Sequence, residues 1–469
     1  MTQTPPISFS SHVPPTRELS ILLKLAIPVA LSQIAIMMMG IVDTIFVGRL
    51  GAYPLASIAV GNSISSLFLT IGIGLHLGLD YWISKSIGAG QHDEGMHFMV
   101  QGLYLSTFIS LPLILLTYVI SEPQFGFFAL FKISPDITQD ASSYLRVAAW
   151  SIWPSLLFTS CRQYLQALGR AVWPMVIVIA ANFLNAGANW TFVFGHLGAT
   201  RMGVTGAALA TLISRAAMFA AIFAYLVFDE KKTSKLRSKV YRHSRKLSGT
   251  KLLQVIKLGI PAATQTLFEV GVFATSTLIV GRLGAAALGA HQVVLQVAST
   301  TFMIPLGLSS AAAVLVARNI GSGHPETAVR FGWLSIKLSA CMMAGFGALI
   351  YLASTPLMRI FTHDPGVTEV GVSLLLIVAI FQIADGLQVV GNGVLRGIGN
   401  TRASMIANFV GHWMIGLPVG YLLCFYFDVG IRGIWMGLSL GLISVATLLL
   451  FIWKIKSAQL IGLKADAGN

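Results

Sequence analysis

Residues 47–52 read VGRLGA, and the same six residues return at 280–285, an offset of 233 residues. Each copy begins nineteen residues after a proline, and the two prolines lie in related segments, LAIPVAL at 25–31 and LGIPAAT at 258–264. The offset persists without a gap as far as ISKSIGAG at 83–90, which matches VARNIGSG 233 residues later. A match at constant offset over this length indicates that the chain consists of two similar halves.

The composition is strongly apolar. Of the 469 residues, 55% are hydrophobic and only 10% are charged, against roughly 25% charged residues in an ordinary soluble domain. The mean hydropathy is +0.78. A soluble chain of this length would form several domains, each with a polar exterior that so few charges cannot supply. These values exclude a soluble enzyme, a disordered protein and a nucleic-acid binder, and they predict a polytopic protein of the lipid bilayer.

Twelve stretches are apolar and long enough to cross a bilayer, six in each half. They are 19–47, 55–80, 97–120, 141–166, 172–194, 203–228, 252–280, 288–317, 330–353, 370–395, 403–427 and 433–454. The predicted fold is therefore an all-α polytopic membrane protein with two six-helix lobes. Because six is even, both lobes insert the same way up, so the sequence predicts pseudo-two-fold symmetry along the membrane normal and a central cleft.

Charge divides the chain further and predicts its orientation. The expected parts are a disordered tail at 1–18, a lobe at 19–228, a basic loop at 229–251, a second lobe at 252–456 and a tail at 457–469. Nine Lys and Arg residues lie in the loop, which predicts a cytoplasmic location. With both termini cytoplasmic, 23 basic residues lie inside and seven outside. Binding of phosphoinositide or nucleic acid by this loop is the alternative, but no aromatic residues interleave the run as in a nucleic-acid groove.

Three acidic residues, Asp43, Glu269 and Asp385, lie well inside predicted spans. A charged side chain at the centre of a span costs about 2.5–3.5 kcal/mol on insertion scales. We therefore expect all three to face the protein interior, either neutral or partnered. A purely structural hydrogen bond between helices is a serious alternative for any one of them, and a weaker one for all three together.

Each acid has polar neighbours at helical spacing, and amides can satisfy a carboxyl group whether it is ionised or protonated. The expected companions are Gln265 and Ser276 around Glu269, Phe381, Gln388 and Asn392 around Asp385, Asn182, Asn185 and Asn189 on the fifth span, and Gln292 and Gln296 on the eighth. The aromatic ring of Phe381 shares a helix face with Asp385, so we expect it to line an apolar pocket.

Five further positions in the spans carry specific expectations. Pro28 and Pro261 occupy matched repeat positions, and each removes a backbone hydrogen bond, so we expect both to bend their helices. Arg215, inside the sixth span, either extends toward the cytosol or pairs with an acid. Asp80 and Asp428 lie near span ends and are expected at the membrane interface.

The two VGRLGA repeats, IVDT at 41–44, and the glycine motifs SIGAG and NIGSG together resemble the MATE (multidrug and toxic compound extrusion) family. The likeness covers residues 18–456. LFEVGVFA at 267–274 and FQIADGLQVVGNGVLRG at 381–397 look like the NorM-type bacterial branch. The resemblance implies a monomeric transporter in the bacterial inner membrane that exports bulky organic cations in exchange for Na⁺ or H⁺. It implies neither an enzyme nor a resident cofactor.

The resemblance also implies roles for individual residues. Asp43 matches the family's carboxylate on the first helix, and Asn185 and Asn189 resemble the amides that accompany it. Glu269 and Asp385 match an acidic pair implicated in cation coupling, which would hold Na⁺ transiently if the transporter is Na⁺-coupled. Phe381 is a departure, because this branch can carry Tyr there; Phe retains a π face for a cation but lacks the hydroxyl.

Three alternatives stay open on sequence alone. A lipid-linked oligosaccharide flippase shares the repeat architecture, but it would be expected to bury cationic residues for the pyrophosphate. An ion channel would conduct uncoupled currents. An intramembrane enzyme would need a nucleophile–base pair or metal ligands, and neither HExxH nor GxSxG occurs. The sequence does not choose between Na⁺ and H⁺ and does not name the physiological substrate.

Overall fold

The computed structural model describes residues 15–122, 126, 128, 134–233, 246–362 and 364–467. Within these ranges the secondary structure is helical, and no strand occurs among the described residues. The predicted tail up to residue 14 and the middle of the predicted basic loop, 234–245, lie outside the described residues.

The helices of the first half are listed here in chain order. They are α1 (Pro15–Gly48), α2 (Ala52–Gly88), α3 (His92–Ser121), α4 (Pro135–Ala148), α5 (Ile152–Ala167), α6 (Val172–Phe194) and α7 (Val204–Thr233). The second half contains α8 (Gly249–Val280), α9 (Ala285–Gly321), α10 (Pro325–Leu352), α11 (Ser354–Phe361), α12 (Pro365–Gly397), α13 (Thr401–Asn408), α14 (Leu417–Phe425) and α15 (Ile431–Ala467). A π-helix, Phe409–Gly416, joins α13 to α14.

Eleven helical segments of the described chain are individually long and apolar enough to span a membrane. The predicted span at 141–166 is not among them, because a 3₁₀ turn at Ala149–Ser151 divides it into α4 and α5. Pro154, early in α5, has no backbone N–H to donate to the preceding turn, which explains the irregular helix there. Counting α4 and α5 as one broken crossing gives twelve spans, six in each half, and confirms the predicted all-α class.

The repeated glycines have a backbone reason to recur. Gly51 and Gly284, at the same place in the two VGRLGA copies, have φ angles of 122° and 103°. These angles lie in the region that residues with a Cβ rarely adopt. Both glycines immediately precede a long helix, α2 or α9. The hexapeptide therefore repeats because each half turns sharply between its first and second spans.

The helices pack into two compact units. One contains the described residues up to Ala30 together with those from Ile260 onward, and the other contains Leu31–Gly259. The division falls inside α1 and α8, within two residues of Pro28 and Pro261. The first part of each helix thus packs with the unit formed mainly by the other half of the chain. The lobe limits predicted at 19–228 and 252–456 stay a prediction.

Close packing shows how each first part is held. In the unit Leu31–Gly259, a Cβ added to Gly259 would lie 2.2 Å from the carbonyl oxygen of Leu75, so α8 and α2 touch backbone to backbone. In the other unit, a Cβ added to Gly307 of α9 would lie 2.5 Å from Ala30 of α1. The absence of a side chain at these positions permits the approach.

The structure also extends two predicted spans. Helix α1 begins at Pro15 rather than near residue 19, and its first turn is tied down by Arg330, whose Nε donates to Glu18 Oε1 at 2.7 Å. Helix α15 continues to Ala467, well past the predicted end at 454.

Candidate functional site

The first candidate site surrounds Asp43 in the unit Leu31–Gly259. The carboxylate is buried in α1 and accepts hydrogen bonds from three side chains on two other helices. Asn185 Nδ2 and Asn189 Nδ2, one turn apart on α6, donate to Oδ1 at 3.0 and 2.7 Å. Thr211, on α7, donates its hydroxyl to Oδ2. The structure thus brings Asp43 together with both asparagines that the sequence singled out.

This arrangement suits a carboxyl group that exchanges a cation. Three neutral donors stabilise an ionised carboxylate without cancelling its charge. Asn189 Oδ1 is buried and has no hydrogen-bond partner in the part of the chain that the structure describes. A carboxylate beside a free amide oxygen offers hard oxygen ligands of the kind that small cations prefer. Chemically, the site can take either a proton or Na⁺.

Arg215 lies one turn beyond Thr211 on α7. Its Nη1 donates to Ser151 Oγ at 2.8 Å, and the guanidinium interacts electrostatically with Asp43 and with Tyr144. Of the two alternatives that the sequence left open for Arg215, the structure favours pairing with an acid. The cation balances part of the buried negative charge, and Ser151 fixes the position of the guanidinium.

The second candidate site lies in the unit that contains Ile260 and the residues beyond it. Glu269 of α8 is half-buried and hydrogen-bonds to Gln265, one turn earlier on the same helix. Asp385 of α12 is buried and interacts electrostatically with Glu269. The predicted acidic pair is therefore brought together. No cluster of three or more His, Cys, Asp or Glu side chains that could hold a metal occurs among the described residues.

The predicted companions of this pair take different places. Phe381 is buried, and its ring stacks on Trp435 with centroids 6.0 Å apart and planes 14° from parallel. Gln388 is completely buried on α12. Gln292 is exposed and hydrogen-bonds to neither carboxylate in the described part of the chain. Pro28 and Pro261 lie inside continuous helices, α1 and α8.

Sequence reasoning missed a second buried pair of charges in the unit Leu31–Gly259. Asp80 is only 4% exposed and Arg162 only 8%, and the two interact electrostatically. Arg162 Nη1 also donates to Gln33 Oε1 at 3.0 Å. The interfacial placement expected for Asp80 is wrong, because α2 continues eight residues beyond it and α5 supplies a buried cation. Asp428, by contrast, is exposed.

Comparison with known proteins follows from this architecture. The sequence profile of the MatE family matches residues 28–191 and 261–422, one stretch in each half of the chain. The chain belongs to the MatE family. Because this is a family of transporters, the protein is a multi-pass membrane transporter and not an enzyme, as the sequence predicted.

Two curated relatives of MatE type show the branch. The chain is 34% identical over 444 residues to the "Probable multidrug resistance protein NorM" of Mesorhizobium japonicum, covering 93% of this chain and 94% of that one. It is 33% identical over 469 residues to the "Multidrug resistance protein NorM" of Burkholderia vietnamiensis, covering 98% and 97%. The NorM-type resemblance drawn from 267–274 and 381–397 is therefore confirmed.

Solved structures confirm the fold. The crystal structure of the eukaryotic MATE transporter AtDTX14 superimposes with a TM-score of 0.84 at 22% identity, covering 95% of this chain and 98% of that one. A Vibrio cholerae MATE transporter, VcmN in the bent form, gives a TM-score of 0.81 at 20% identity, covering 95% and 99%. At this identity the likeness concerns the fold alone.

Proposed function

We propose that this MatE protein is a secondary active multidrug efflux transporter, which exports cationic or amphiphilic organic compounds in antiport with Na⁺ or H⁺. The observation that carries the proposal is the pair of separate acidic sites, one in each unit: Asp43 with its three donors, and Glu269 beside Asp385. The names of the NorM relatives support the class of cargo. No resident cofactor is needed, since the coupling ion supplies the energy.

The proposed mechanism is competition for negative charge. An organic cation binds while the carboxylates are ionised, held by their charge and by aromatic faces. The coupling ion then binds Glu269 and Asp385, as transient Na⁺ or as a proton, or a proton binds Asp43, and the attraction for the organic cation is lost. The membrane potential contributes about 2.3 kcal/mol per charge per 100 mV, so inward movement of the ion drives outward movement of the drug by alternating access.

The buried charges argue against the flippase alternative. A lipid-linked pyrophosphate needs cations that are free to bind it. Arg162 and Arg215 are the cations described in the interior of the unit Leu31–Gly259, and each interacts with a carboxylate of its own, Asp80 or Asp43. An ion channel is the remaining alternative, and it would show current that does not depend on drug.

We further propose that the protein works as a monomer in a bacterial plasma membrane, with both termini in the cytoplasm. The excess of Lys and Arg in the segments assigned to the cytoplasm supports the orientation. Its partners are then the organic cation and the lipid bilayer, with no nucleic acid.

The test is neutralisation of each acid in cells that accumulate ethidium. Asp43→Asn, Glu269→Gln and Asp385→Asn preserve size and hydrogen-bonding capacity but remove the charge, and we expect at least one of them to abolish efflux. Asp428→Asn is the matched control, because this aspartate is exposed and has a positive φ that asparagine also tolerates. Undiminished efflux in all three variants, at equal expression, would refute the assignment.

A further inference from the structure

A group of buried polar side chains around α12 lacks hydrogen-bond partners. Gln388 has neither its Nε2 nor its Oε1 paired, and His412 has neither ring nitrogen paired, within the described residues. Asn392 Nδ2 and Asn408 Oδ1 are also unpaired in the described chain. All four side chains are more than nine-tenths buried. An unpaired buried polar group costs about 1–3 kcal/mol, so six such atoms in one place call for an occupant that can bond to them.

One hydrogen bond fixes how these residues are arranged. Asn408 Nδ2, at the end of α13, donates to Asn392 Oδ1 of α12 at 3.1 Å. The two helices are joined by the short segment 398–400 and therefore run antiparallel. Four residues away in the same spatial direction lie Gln388 on α12 and His412 on the other helix, one turn from the bonded pair. The four residues thus form two successive polar layers.

The layers continue in both directions. Asp385 lies three residues before Gln388 on α12, so it shares their face of the helix. In the opposite direction, Arg396 and Ser404 occupy the next turn toward the connecting segment, and both are buried. The result is a column of polar side chains from Asp385 to the end of the span at 398–400. We name this set, Asp385, Gln388, Asn392, Arg396, Ser404, Asn408 and His412, the polar column.

The backbone at His412 is unusual as well. His412 lies in the π-helix Phe409–Gly416, the wide helical turn that interrupts the crossing formed by α13 and α14. Such segments are rare and are found mostly at functional sites. Gly411 and Gly416 allow it to lie against α15, where an added Cβ would meet Gly441 at 2.8 and 3.0 Å. The π-helix therefore presents an unpaired imidazole in the interior of the unit.

From these observations we propose that the polar column is a hydrated path, which gives Asp385 aqueous access from the 398–400 end of the span and relays protons along it. Water is the smallest molecule that can both donate to and accept from amides and a neutral imidazole. The guanidinium of Arg396 on the last turn repels a bare Na⁺ ion, so the column suits protons carried by water better than it suits Na⁺. The path rests on the proposed function, because it supplies the route by which the coupling proton leaves Asp385 for the cytoplasm.

Cysteine accessibility tests the hydration without reference to transport. In a protein whose Cys161, Cys341 and Cys424 are replaced by alanine, single Gln388→Cys and Asn392→Cys variants are treated with 2-aminoethyl methanethiosulfonate in inside-out vesicles. The reagent attacks the thiolate, which forms only where water reaches it. Val390→Cys is the control, because Val390 is completely buried on the same helix.

We expect Gln388→Cys and Asn392→Cys to react at least ten times faster than Val390→Cys, with no drug or gradient present. Two independent positions keep the test decisive if one variant fails to fold. Rates equal to that of Val390→Cys would overturn the hydrated path, whatever the efflux assay shows. Conversely, fast labelling in a protein that exports no drug would refute the proposed function and leave the path standing.

A transport measurement then separates a relay from trapped structural water. Gln388→Leu removes both polar atoms at similar volume, whereas Gln388→Asn retains them. We expect Gln388→Leu to slow efflux driven by a pH gradient at least tenfold while drug binding stays within twofold, and Gln388→Asn to recover most of the rate. Unchanged efflux in Gln388→Leu would overturn the relay.

Discussion

The buried pair of Asp80 and Arg162 allows a quantitative test of the packing in the unit Leu31–Gly259. The perturbation is Arg162→Met, which keeps the length and apolar character of the side chain but removes the cation. Asp80, only 4% exposed, would then be a buried carboxylate without its neighbouring charge. Breaking a buried ion pair by removing one partner costs about 3–5 kcal/mol. The lost bond from Arg162 Nη1 to Gln33 Oε1 is part of this cost.

For a unit of this size, each kcal/mol corresponds to about 2–4 °C in Tm, so we expect a decrease of roughly 6–20 °C. The assay is the temperature at which half of the detergent-solubilised protein ceases to elute as a single size-exclusion peak. The double variant Asp80→Asn, Arg162→Met completes a thermodynamic cycle. Because it leaves no buried charge, we expect it to be more stable than the single Arg162→Met variant by about 2 kcal/mol or more.

The result that would refute this reasoning is additivity. If the destabilisation of the double variant equals the sum of the two single losses within about 0.5 kcal/mol, the charges are independent and the pairing is energetically unimportant. A single Arg162→Met variant as stable as the parent would contradict the account in the same way.

Three further predictions concern other parts of the chain. Gly259→Ala should lower Tm by several degrees, because the added methyl would lie 2.2 Å from a carbonyl oxygen of the neighbouring helix, whereas Gly249→Ala, at the start of the same helix with nothing within 4 Å, should not; equal Tm values would contradict the packing. Phe381→Ala should cost about 3–5 kcal/mol of stability in a thermal assay, since the ring is a buried core group, and a stable variant with altered drug preference would show instead that it lines a pocket. Asp43→Asn should abolish ethidium efflux while its neighbour Thr44→Val, exposed on the same helix, keeps the parental rate; equal losses would remove the distinction between the two faces of α1.

The site around Asp43 shows how far sequence reasoning reaches. Asn185 and Asn189 were predictable, because residues four apart on a helix share a face and amides seldom line a span without a partner. Thr211 was not predictable, because a single threonine on another helix carries no periodic signal and a hydroxyl can bond to its own backbone. The contact depends on how α7 packs beside α1, and that information is not local.

The second half of the chain gives the same lesson with a different outcome. Spacing correctly placed Phe381, Asp385 and Gln388 on one buried face of α12. Spacing could not show that Trp435 of α15 would stack on Phe381, or that Gln292 would be exposed. Apolar length likewise predicted the fourth span but not its division by a 3₁₀ turn. Periodicity identifies the face of a helix, and the neighbouring helix decides what that face contacts.

The most direct test of the central claim is ethidium flux in proteoliposomes of the purified protein, with Na⁺ and pH gradients imposed separately. The account predicts that one gradient or both drive the organic cation against its own concentration difference. It also predicts that combined replacement of Asp43, Glu269 and Asp385 by their amides abolishes this uphill flux while the protein remains folded. Downhill flux that ignores both gradients, or uphill flux that survives the triple replacement, would contradict it.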